Sequence, residues 1–102
     1  MAAQAVSVQQ AVNHLDAYIG KHGAPYSAWY SGVASDPRTR LFTDHSVDEK
    51  FGLWIYHALT TDTEARQVES HFLAKGCKGA PGGGDRSSRY VYAYRVTQTT
   101  RE

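Results

Sequence analysis

Glu69 is a carboxylate in the middle of an apolar stripe. At about 100° per residue on a helix, Ala65, Val68, Phe72 and Leu73 cluster on one face of the segment Thr61 to Lys75, and Glu69 falls between Ala65 and Leu73. Its side chain is expected to point inward. An ionised carboxylate buried without a partner is costly, so the fold must supply a cation, a metal ion or several hydrogen-bond donors. One resolution is structural: a pair with Arg40 or Arg66, or bonds from tyrosine hydroxyls, with no ligand at all. The other is chemical, because perturbed buried carboxylates are enriched at reactive sites.

Other groups invite chemistry with less specificity. His14, His22, His45, His57 and His71 fit none of the short paired spacings of structural zinc sites. The run from Gly76 to Ser88 is too rich in glycine to be regular. Its amides, near Lys78 and Arg86, are candidates to cradle a phosphate, and a plain mobile connection is the competing reading. The run matches neither a P-loop nor a dinucleotide fingerprint. Tyr90, Tyr92 and Tyr94 alternate along one face of an expected strand, where they either stack bases or pack under a helix.

These groups need elements to hold them. Ser7-Val8-Gln9-Gln10 has the form of a capping box, with Val6 and Ala11 placed for a hydrophobic staple, so a helix should begin there. Val8, Ala11, Val12, Leu15, Tyr18 and Ile19 give it one apolar face, up to the stop signals Gly20, Gly23 and Pro25. Tyr26 to Ala34 reads as a strand, with Trp29, Ser31 and Val33 on one face and Tyr30 and Gly32 on the other. Asp36 caps a short helix that has Pro37 at its first position and carries Arg38, Arg40 and Leu41. Phe51 to Thr60, apolar on both faces, reads as a central strand. Thr61 to Glu64 repeats the capping-box pattern and opens the Glu69 helix, which closes at Gly76. Arg89 to Thr97 is a third strand. The expected fold is α+β, a small three-stranded sheet flanked by three helices in the order αβαβαβ.

The 102 residues are expected to form a single domain, 1–102, with a tail at 1–6 and the glycine-rich loop at 76–88. A formal charge of +1 means that a nucleic-acid partner must be met by a local basic patch, not by the field of the whole molecule. The lone Cys77 closes no intramolecular disulfide, and no apolar stretch reaches the ~18 residues of a membrane span. The N-terminal residues lack the basic start and apolar core of a signal peptide. A soluble, cytoplasmic protein is expected, with no membrane partner. Composition leaves the oligomeric state and any protein partner open.

The segment from Tyr30 through Gly32, Asp36 and Pro37 to Arg40 and Leu41, with His45 after it, resembles the second half of the GIY-YIG nuclease signature. In that family a Tyr-x-Gly strand end leads into a helix with an arginine ten residues after the tyrosine, often followed by a histidine. Glu-Ala-Arg-Gln-Val-Glu69-Ser-His-Phe-Leu resembles the helix that carries the family's metal-binding glutamate, with a small residue four places earlier, here Ala65. The resemblance covers roughly residues 29 to 75. It implies divalent-metal-dependent phosphodiester hydrolysis, with Glu69 binding Mg²⁺ or Mn²⁺, Arg40 contacting phosphate, Tyr30 orienting or deprotonating water, and His45 as a helper base. The family's opening Gly-Ile-Tyr strand is missing from its usual place; Tyr18-Ile19-Gly20 spells part of it on a helix end. The resemblance therefore implies a circular permutation, in which the C-terminal strand fills the vacancy beside Trp29 to Ala34 and Tyr92 stands as the first tyrosine. His45 lies five residues after Arg40 where the family more often uses four, a difference of about 100° on an α-helix. The family's late asparagine has no counterpart after Glu69. The alternative on the same scaffold is a non-catalytic nucleic-acid- or protein-binding module, regulatory or phage-type.

Overall fold

The computed structural model describes residues 4–23, 25–79 and 86–102. The start of the expected tail and the middle of the glycine-rich run lie outside them. The architecture is α+β: helix α1 (Val8–Lys21), strand β1 (Trp29–Ala34), a π-helix (Thr39–Asp44), strand β2 (Trp54–Ala58), helix α2 (Asp62–Ala74) and strand β3 (Tyr90–Arg95).

Both α-helices start at a side-chain cap. The Ser7 hydroxyl accepts the Gln10 amide and the Gln10 side chain accepts the Ser7 amide, which completes the reciprocal box that opens α1. At α2 the Thr61 hydroxyl accepts the Glu64 amide, but the Glu64 carboxylate reaches one residue further back, to the amide and hydroxyl of Thr60. The first part of the strand expected from Tyr26 is a 3₁₀ turn, Tyr26–Ala28, closed by the Ala28 amide on the Pro25 carbonyl. Tyr26 bonds Asp16 of α1 from that turn, and Lys75 lies over its ring.

The sheet order is β1-β3-β2, antiparallel throughout. The expected central strand, Phe51 to Thr60, is thus an edge strand, and the centre belongs to β3. Residues apolar on both faces suit an edge here because α1 shields one face of β2 while Trp54 and Tyr56 stack into an aromatic row on the other. β3 runs beside β1 with Tyr30 opposite Tyr94 and Gly32 opposite Tyr92.

Alternation along β1 and β3 divides the interior in two. Trp29, Val91 and Ala93 pack with Leu15 and Ile19 of α1 and Ala65, Val68 and Phe72 of α2. On the opposite face Tyr30, Tyr92 and Tyr94 pack with Leu41 and Val47 around the π-helix. The tyrosine stripe is covered, with Tyr92 and Tyr94 fully buried. The outer edge of β1 is met by the chain leaving α2: the Lys78 amide donates to the Trp29 carbonyl, and the Ser31 amide to the Lys78 carbonyl.

One close approach depends on glycine. A Cβ on Gly32 would stand 2.5 Å from the Tyr92 hydroxyl oxygen, and Tyr92 is too buried to swing away. Gly32→Ala is therefore expected to lower stability by about 1–3 kcal/mol, a loss of several degrees in melting temperature for a domain of this size. Calorimetry on the two proteins measures it, and an unchanged melting temperature would mean that the ring has room to move.

Candidate active site

β1, the π-helix, α2 and β3 converge on one open-sided cavity of about 510 Å³. Tyr30, Arg40, Glu69 and Tyr92 all line it, with Gly32, Ser35, Asp36, Thr39 and Ser88 among the remaining walls. Four of the residues singled out by sequence therefore meet in one place. The fifth, His45, sits behind the wall and touches Tyr92.

Glu69 is 4% exposed, as its position in the stripe requires. Ala65, Val68 and Phe72 enter the core between the helices and the sheet, while Glu69 turns to the cavity. Neither cation offered by the structural resolution reaches it. Arg66 pairs with Asp62 of its own helix at 3.6 Å, and Arg40 donates to Asp44 at 3.0 Å. Among the described residues, no hydrogen bond and no ion pair holds the Glu69 carboxylate. Burial pushes its carboxyl above the ordinary range, with Arg66 opposing weakly from a distance.

A π-helix spans the interval from Arg40 to His45. The Arg40 amide donates to the Asp36 carbonyl in ordinary α fashion, but the His45 amide donates to the Arg40 carbonyl at 2.8 Å, across five residues. A wider turn takes up one extra residue, which stacks His45 more nearly over Arg40 than an α-helix would. Ser46 then adopts a left-handed conformation, φ 56°, and the Val47 amide bonds the Leu41 carbonyl. The chain reverses there, and the His45 ring, 3% exposed, is delivered into the tyrosine cluster. The Asp36 carboxylate holds the start of this segment by accepting the amide and hydroxyl of Thr39.

His45 Nε2 lies 2.8 Å from the Tyr92 hydroxyl, and its Nδ1 lies 2.6 Å from the Arg101 carbonyl and 3.0 Å from the Tyr94 hydroxyl. Tyr30 stacks on Tyr92 and Tyr94 at ring separations of 6.3 and 5.2 Å. Burial pushes the Tyr92 phenol up to about 12, although the Arg40 guanidinium beside it pulls downward. Burial also holds the His45 imidazole below its ordinary value, against the pull of the Arg101 carbonyl.

Lys78 and Arg86 do not join this group. Both are exposed, and neither lines the cavity. Lys78 serves the sheet through its backbone as the bridge partner of Tyr30, and the amides proposed as an anion cradle fall largely in 80–85, outside the described residues. Sequence reasoning missed Ser88, Asp36 and Thr39 as walls. The Asp36 to Thr39 cap was the available signal for two of them. No group of three or more metal-ligating side chains occurs among the described residues. Among those residues no helix is long and apolar enough to cross a membrane. Comparison with known proteins finds no family model, no curated protein and no solved structure that matches this chain.

The buried carboxylate has a measurable sign. A carboxyl whose proton affinity rises on folding is stabilising below its unfolded value, near 4.5, and that stability is lost as pH rises through the folded value. Glu69→Gln should therefore match the wild type in urea at pH 4 and exceed it increasingly above that, most of all at pH 8. Equal midpoints across the range would show that the carboxylate finds donors in solution.

Proposed function

We propose that this protein hydrolyses phosphodiester bonds in nucleic acid with a divalent metal, using a GIY-YIG-like site assembled from a permuted chain. The observation that carries the reading is a buried carboxylate with no hydrogen-bond or ion-pair partner among the described residues, facing the same cavity as Arg40, Tyr30 and Tyr92. The neighbouring positions of β1 and β3 support the permutation, with Tyr92 of β3 in the role of the family's first tyrosine and Tyr30 in that of the second.

The residues fit the implied ion. Mg²⁺ keeps several of its waters and is commonly held by one or two carboxylates together with substrate phosphate, so one carboxylate on an open cavity is a sufficient protein share. Glu69 is that ligand, for Mg²⁺ or Mn²⁺. When bound, the ion supplies charge stabilisation to the phosphate and the departing oxygen. Arg40, its side chain half-exposed at the cavity, adds a guanidinium on the phosphate.

Tyr30 and Tyr92 orient the attacking water. A phenol at about 12 is protonated at neutral pH, so Tyr92 acts by relay. As the water oxygen bonds to phosphorus and the bond from phosphorus to the sugar oxygen breaks, one proton of the water passes to the Tyr92 oxygen. The Tyr92 proton passes in turn to His45 Nε2, 2.8 Å away, and the sugar oxygen takes a proton from solvent. The depressed proton affinity of His45 keeps it neutral and ready at pH 7. A cytoplasmic setting, rich in Mg²⁺ and nucleic acid, suits this chemistry.

A second reading, a non-catalytic module of regulatory or phage type that binds protein, is favoured over nucleic-acid chemistry by the pairing of Arg40 with Asp44 and of Arg38 with Glu49, which lowers the net positive charge near the cavity.

Cleavage of single- and double-stranded DNA in Mg²⁺ or Mn²⁺ tests the two. Glu69→Gln and Arg40→Ala should each reduce the rate by about 10²–10³-fold or more while folding persists. Mg²⁺ should raise the melting temperature of the wild type and not of Glu69→Gln. The rate should hold through neutral pH and fall on acidification below the ordinary histidine value of 6.5. Absence of cleavage together with absence of any divalent-ion stabilisation would leave the binding module as the surviving reading.

A further inference from the structure

The His45 imidazole is held from both ends of its ring, and the two holds are chemically unequal. Nδ1 faces the main-chain carbonyl of Arg101 at 2.6 Å, a group that can only accept. Nδ1 must therefore carry a proton. In a neutral ring Nε2 then has a lone pair, and the partner it meets, the Tyr92 hydroxyl at 2.8 Å, is the donor. Free imidazole has no such preference built into it; which nitrogen bears the proton in a folded chain is set by the bond that the other one makes.

Arg101 is itself fixed. Its amide donates to the His45 carbonyl at 2.7 Å, so the two residues are joined by reciprocal bonds. The Tyr94 hydroxyl donates to the same Arg101 carbonyl at 3.1 Å, which leaves its oxygen turned to Nδ1 as a second acceptor. Upstream, the Thr97 amide bonds the Thr100 hydroxyl at 2.9 Å and the Thr100 hydroxyl returns to the Thr97 carbonyl at 3.1 Å, a turn that brings residue 101 back under the π-helix. The charged groups nearest the ring are Arg40 and Asp44 on its own segment and Glu102 beyond the turn.

We propose that the segment 97–101 is a positioning element of the site: the Arg101 carbonyl, backed by Tyr94, holds His45 in its Nδ1–H tautomer and so keeps Nε2 open to the proton of Tyr92. The proposal rests on reading Tyr92 and His45 as a proton relay. Arg101 contributes through its main chain, and its side chain, like Glu102, is exposed and plays no part in the hold.

The test begins with the intact protein. Nitrogen-15 spectra of the His45 imidazole, recorded above its titration, should show a protonated Nδ1 and an unprotonated Nε2. The opposite tautomer, or a mixture of the two, overturns the proposal without recourse to any variant. Arg101→Ala should leave the tautomer unchanged, because the carbonyl remains. Deletion of residues 101 and 102, with Thr100→Ala, which breaks the turn that presents the Arg101 carbonyl, as a second variant should the deletion unfold, should shift the ring toward the Nε2–H form. The same deletion should lower kcat by about 10²-fold with little change in KM, since it disturbs the relay and not phosphate binding. A tautomer that survives both variants assigns the hold to something other than the Arg101 carbonyl and overturns the proposal. Because the spectra need no substrate, a protein that shows the Nδ1–H tautomer but cleaves nothing sustains the positioning role and removes the nuclease reading alone.

Discussion

A carboxylate almost out of water, with no guanidinium or ammonium on it among the described residues, is the constraint around which this molecule is organised. Such a group is affordable only if the surrounding fold is stable enough to hold it there. That stability comes from the other side of the same helix, where Ala65, Val68 and Phe72 lock α2 against the sheet and α1. Arg66 and Arg40 are each engaged with an aspartate of their own segment, three or four angstroms away, which keeps them from collapsing onto Glu69. Local pairs of this kind contribute little stability in themselves. Their effect is to keep both guanidiniums on their own segments, with the acid facing the cavity.

The opposite wall is built by aromatic packing. Tyr30, Tyr92, Tyr94 and His45 form one cluster of stacked and tilted rings, and the absence of a side chain on Gly32 admits the Tyr92 hydroxyl. The π-helix belongs to this wall as much as the strands do. Its wide turn and the left-handed Ser46 are departures from low-energy backbone, and departures of that sort persist where surrounding contacts over-determine them. Here the over-determination is visible: Leu41 and Val47 are buried on either side, and the His45 ring is bonded at both nitrogens.

Much of this was legible in the residues because it depends on local rules. Ser7 and Gln10 announce a helix start, alternation separates Trp29 from Tyr30, and helical periodicity turns Glu69 inward. What depends on distant partners was not legible. Phe51 to Thr60 carries the apolar content of a central strand, and only the pairing of β3 with both neighbours shows that it is an edge. The turn between Arg40 and His45 closes across five residues and sets the His45 ring among the tyrosines, which no pattern of side-chain types reveals. Lys78 and Arg86 look like anion ligands by charge alone, yet the backbone of one is committed to the sheet edge and both lie away from the cavity. Arg101 acts through a carbonyl that every residue possesses, so its identity carries no signal at all.

The strand made last lies in the middle of the sheet. β1 and β2 do not pair with one another, and each waits for β3 to hydrogen-bond. A chain emerging from the ribosome in order can form α1 and α2 early, but it has no sheet until residues 90–95 are out, and such non-local pairing is intrinsically slow. Tyr92 arrives on that strand, and the prop behind His45 arrives later still. A nascent chain thus carries Glu69 and Arg40 through translation with no cavity between them until β3 has been made.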